Sequence, residues 1–121
     1  DEEHRRTIQY KKTQENLVRG FRDFQQGQYA RSRDSFQVVL NLDPENELAQ
    51  RYFQLSQIKF DQQVKQLMQQ GNRNREKLSW RLCMDSFSKV MTMLQGRRDN
   101  LTYNEAQKYF EACRLEAEGK Y

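Results

Sequence analysis

One pattern occurs twice in this chain, 51 residues apart. Gly20, Tyr29, Asp34-Ser35-Phe36 and Val39 return as Gly71, Trp80, Asp85-Ser86-Phe87 and Val90. A second echo follows each copy at an offset of 57, where Ala49-Gln50-Arg51-Tyr52-Phe53 returns as Ala106-Gln107-Lys108-Tyr109-Phe110. In a repeat architecture each copy is one supersecondary unit that cannot bury its apolar face alone. Such chains work by displaying surface to another macromolecule.

The repeated segments read as helix. Leu17, Gly20, Phe21 and Phe24 fall at i, i+3, i+4 and i+7, the stripe of an amphipathic helix, and Gln26-Gly27 ends it. A second helix over about 29–41 carries Tyr29, Phe36, Val39 and Leu40, and stops at Asp43-Pro44, where Pro44 is placed to open the next. From Glu45 the pattern stays helical to Gly71. Its apolar side turns from Leu48, Tyr52 and Leu55 to Phe60, Val64, Leu67 and Met68, so one helix serves two neighbours in succession. The stretch from Gly71 to Ser79 contains a break, and Ser79 is a fitting N-cap for a helix bearing Trp80, Cys83, Met84, Phe87, Val90, Met91 and Leu94. A loop with helix-ending Gly96 leads to a last helix over about 103–118, with Ala106, Tyr109, Phe110, Cys113 and Ala117 inward.

The expected architecture is all-α. A charged segment, 1–12, precedes a helical domain over 13–121. Within it lie a first repeat over about 13–46, a long connecting helix over about 45–71, a degenerate second repeat over about 64–97 and a capping helix over about 103–118. The composition fits. Of 121 residues, 36% are hydrophobic and 31% charged, a polar balance that small helical repeats with much surface tolerate.

The net charge of +4 comes from 21 basic and 17 acidic residues that are largely interspersed. Nucleic-acid binding through Arg73, Arg75, Lys77, Arg97 and Arg98 is disfavoured, because it calls for a denser basic stripe with exposed aromatics beside it. Here the aromatics fall on the apolar faces. Cys83 and Cys113 lack metal-ligand spacing and sit in apolar stripes. They read as buried small hydrophobes, with a disulfide left open. The lone histidine, His4, lies in the charged N-terminal segment, and no Ser/His/Asp set, phosphate loop or H-E-x-x-H is present. No catalytic residues, metal or cofactor are expected, and the chain reads as a non-enzyme. No apolar run reaches the ~18 residues of a membrane-spanning helix. The start at Asp1 reads as a segment of a longer protein or a mature form.

The segment from about Thr13 to Asn46 resembles the tetratricopeptide repeat. Gly20, Gly27, Tyr29, Phe36, Leu40 and the closing Leu42-Asp43-Pro44 carry the likeness. The resemblance implies close helix approach at Gly20, a turn at Gly27 and a unit closed by Pro44. The second copy keeps Gly71, Trp80, Phe87 and Val90, has Leu78 in place of the turn glycine, and lacks the proline. The interval of 51 instead of the family's 34 implies two helical hairpins joined by a long shared helix. The family's association with bacterial envelope, motility and secretion proteins implies a soluble segment of the cytoplasm or periplasm.

By this likeness the chain is a non-catalytic protein–protein interaction module of a larger protein or assembly. Leu17, Phe21, Phe24, Met68 and Arg75 are the candidates to line a groove for a protein or peptide partner, unless they are core. The alternative is a structural spacer or homodimer element, with a seam near Lys59 and Gln66 on the long helix.

Overall fold

The computed structural model describes residues 1–95 and 100–119. They form five α-helices and no strand: α1 (Glu2–Gln25), α2 (Tyr29–Leu42), α3 (Glu47–Glu76), α4 (Trp80–Met93) and α5 (Leu101–Glu118). The chain is all-α, as its helical stripes predict. Gly96, Arg97 and Arg98, singled out above, lie outside the described residues.

Two compact units divide the chain, Asp1–Asp61 and Gln62–Tyr121. The first holds α1, α2 and the opening half of α3. The second holds the closing half of α3, then α4 and α5. The long helix is thus shared, as its turning apolar face implies.

Two expected boundaries move. The charged N-terminal segment is helix from Glu2 onward, since the Asp1 side chain accepts the His4 amide at 2.8 Å and caps α1. Pro44 does not open α3. Its place is taken by Asn46, whose Oδ1 accepts the Ala49 amide at 2.9 Å, while Pro44 sits in the preceding turn with its carbonyl held by the Gln50 side chain.

In the first unit, Leu17, Phe36, Val39 and Ala49 form the buried core, with Phe21, Leu40, Tyr52 and Phe53 packed on it. Phe36 is fully buried because Gly20 has no side chain, and a Cβ there would stand 2.8 Å from the Phe36 ring. Edge-to-face contacts of Phe21 with Phe36 (5.3 Å) and Tyr52 (4.9 Å) bind the three helices together.

The second unit repeats this packing. Cys83, Phe87, Val90, Ala106 and Cys113 are fully buried. A Cβ on Gly71 would lie 2.6 Å from the Phe87 ring. Gly71 therefore does not break the long helix. It lies inside α3, which runs on to Glu76, because its missing side chain makes room for Phe87. The pair Phe36–Tyr52 (5.8 Å, 34°) is matched by Phe87–Tyr109 (5.4 Å, 39°).

The turns correspond too. The Gly27 amide reaches the Phe24 carbonyl at 3.1 Å and the Gln28 amide reaches that of Asp23 at 2.8 Å. Leu78 to Arg75 (3.1 Å) and Ser79 to Asn74 (2.8 Å) form the same Schellman closure. Its left-handed position is occupied by Gly27 at φ 76° and by Leu78 at φ 61°. The backbone keeps the conformation although the glycine is gone, at a cost of about 1–2 kcal/mol. Ser79 holds the N-cap position of α4 as expected, but its side chain makes no capping hydrogen bond.

Candidate interaction groove

The copies diverge where side chains are exchanged. Phe24 lies edge-on to Tyr52 at 5.4 Å, and in the second unit its position belongs to Arg75, whose guanidinium lies 4.0 Å over the Tyr109 ring. A cation–π contact has replaced an aromatic pair. Phe21 corresponds to Asn72, whose Oδ1 is buried without a hydrogen-bond partner. Buried Ser32 is hydrogen-bonded to Ser56 at 2.7 Å, and the same two positions in the second unit are Cys83 and Cys113, joined as a disulfide with a Cα–Cα distance of 6.2 Å. The cysteines are buried, as their stripes predict, but they are paired covalently rather than packed as free thiols.

The five sequence candidates divide between the units. Leu17 is core, and Phe21 and Phe24 belong to the aromatic cluster around Tyr52. Met68 is half-buried at the second unit's counterpart of Leu17, and Arg75 covers Tyr109. Lys59 and Gln66, the expected dimer seam, are both exposed on α3. Arg73 and Lys77 are also exposed, while Arg75 is spent on its ring contact.

A groove of about 490 Å³ lies within the second unit, between α3 and α4. Gln63, Gln66, Leu67 and Gln70 form one i, i+3, i+4, i+7 stripe of α3. Ser88, Lys89, Thr92 and Met93 face them from α4. None of the five candidates lines it. Leu67 was expected on the apolar side of the long helix and Gln66 at a dimer seam, but the others carry no sign of a groove, because a glutamine stripe is indistinguishable from ordinary helix surface. The volume is in the range of ligand-binding clefts.

The groove's chemistry is amide and hydroxyl, with Leu67 and Met93 as its apolar patches. Its one ionic group, Lys89, is paired with Asp85 at 3.0 Å. Among the described residues no group of three or more His, Cys, Asp or Glu could hold a metal ion, and no helix is long and apolar enough to cross a membrane. The Arg114 guanidinium is held above its ordinary range by hydrogen bonds to Glu111 and then to Glu118. That pairing is solvent-accessible on α5, and none of its three residues lines the groove.

No known protein family, curated protein or solved structure matches the chain.

Proposed function

We propose that this chain is a non-catalytic protein–protein interaction module built of two tetratricopeptide-like units, part of a larger protein or assembly. The observation that carries the reading is the neutral groove between α3 and α4. Gln66, Gln70, Ser88 and Thr92 offer donors and acceptors suited to the backbone of an extended peptide. Leu67 and Met93 offer contact area for its apolar side chains. The absence of an uncompensated charge in the lining favours a segment with few charged residues.

The disulfide supports an oxidising compartment for the protein, of which a bacterial periplasm is one.

The reading is tested with peptides selected from a random display library against the oxidised chain. Leu67→Asp places a charge in the groove and weakens selected peptides by at least about tenfold, equivalent to ~1.4 kcal/mol. Val18→Asp, on the exposed side of α1 in the other unit, leaves affinity unchanged. Equal affinity for Leu67→Asp and the unaltered chain, with the helical content preserved, contradicts the groove as the binding site.

A further inference from the structure

We propose that the second unit is a redox-conditional fold, held by the Cys83–Cys113 disulfide, whereas the first unit stands without a covalent link. The two units differ at equivalent positions. The first has Gly27 at its left-handed turn, Phe21 and Phe24 on Tyr52, Leu17 in the core and a serine pair between α2 and α3. The second has lost something at each of these places. Leu78 occupies the left-handed turn with its side chain 67% exposed, so the strain is not offset by burial. Asn72 buries an unpartnered oxygen where the first unit packs the half-buried Phe21 ring against its core. Arg75 stands for Phe24, and Met68, half-buried, for Leu17.

Against these losses the second unit has one covalent gain. Cys83 and Cys113 are separated by 30 residues, and their bridge encloses most of α4 and α5. Closing a loop of that size restricts the unfolded chain enough to change the folding equilibrium by about 10²–10³-fold. The serine pair in the first unit shows that the site itself does not need a cross-link. The cross-link is present only in the copy whose other contacts are poorer.

Reduction follows thiol–disulfide exchange. A dithiol gives two electrons and two protons, becomes a cyclic disulfide, and leaves each Sγ as a thiol. Both cysteines are fully buried, so the reductant acts when the unit opens, and the reduced unit does not close as firmly. The groove-lining residues Leu67 and Met93 belong to this unit, but the device does not depend on what the groove binds.

The test is amide hydrogen exchange on the full chain, oxidised and after reduction with dithiothreitol, with the two-hydrogen mass gain verified. Protection in α4 and α5 is expected to fall at least about 100-fold, with α1 and α2 changing less than about threefold. Cys83→Ser with Cys113→Ser installs the serine pair and is expected to match the reduced chain. Adding Asn72→Phe and Leu78→Gly to that variant restores the first unit's residues, and is expected to recover at least about tenfold protection in α4. Unchanged protection of α4 and α5 in the reduced chain overturns the proposal, as does an equal loss in α1 and α2.

Discussion

Ser32 and Ser56, hydrogen-bonded at 2.7 Å in the first unit, occupy the two positions that Cys83 and Cys113 bridge in the second. The Ser32 hydroxyl also contacts the Tyr29 carbonyl at 2.9 Å, so the small buried pair is fully engaged. One packing solution is thus closed in two chemical ways. Around each pair the same elements recur, with a glycine beneath a buried phenylalanine, a left-handed turn and a tyrosine stacked across the helices. The equivalence makes the two units controls for one another.

The glycines beneath the rings leave no room for a side chain. Gly20→Ala and Gly71→Ala improve helix propensity by up to about 1 kcal/mol. Each also drives a Cβ to within 2.8 and 2.6 Å of a ring that has no room to retreat. Overpacking costs about 1–3 kcal/mol, so each variant is net destabilised, by roughly 1 kcal/mol or more. Urea denaturation checks this. Pairing Gly20→Ala with Phe36→Leu yields less destabilisation than the two changes sum to, because the smaller side chain makes room for the methyl.

Leu78 is the position where one substitution improves the fold. Leu78→Gly removes the penalty of a left-handed leucine and forfeits little packing, since the side chain is mostly exposed. It raises the stability of the second unit by about 1 kcal/mol, read as slower exchange in α4. Gly27→Leu in the first unit lowers stability by a similar amount. Opposite signs at equivalent positions are the expected signature.

Much of this architecture was legible in the sequence. The offset of 51 marked Gly20 with Phe36 and Gly71 with Phe87, and apolar periodicity marked all five helices. The αL turn at Gly27 was legible because glycine advertises it. The same turn at Leu78 carried no such sign, since only the surrounding hydrogen bonds impose that φ. The break expected between Gly71 and Ser79 falls at 77–79, so the long helix runs five residues past Gly71. The glycine's neighbour in space, Phe87, explains why it is tolerated inside α3. The cysteine pairing was hidden by a change of register. The offset grows from 51 at Cys83 to 57 at Cys113, and two ordinary serines do not announce that they touch, so the correspondence stands out only once Ser32 and Ser56 are seen hydrogen-bonded. Leu17, Phe21 and Phe24 were legible as one apolar stripe, but a stripe does not distinguish core from groove. The residues that line the groove do share a helical spacing on α3, but three of the four are glutamines, and a polar stripe looks like any solvated helix face.

The most direct test of the two-unit account is to transplant the bridge. Ser32→Cys with Ser56→Cys is introduced in the Cys83→Ser, Cys113→Ser background, and free thiols are counted after mild oxidation of the monomer. If the units are equivalent, both thiols disappear into one intramolecular disulfide, and the first unit gains stability of about 3 kcal/mol from the closed loop. Two thiols that remain titratable in the folded, oxidised chain contradict the equivalence on which the account rests.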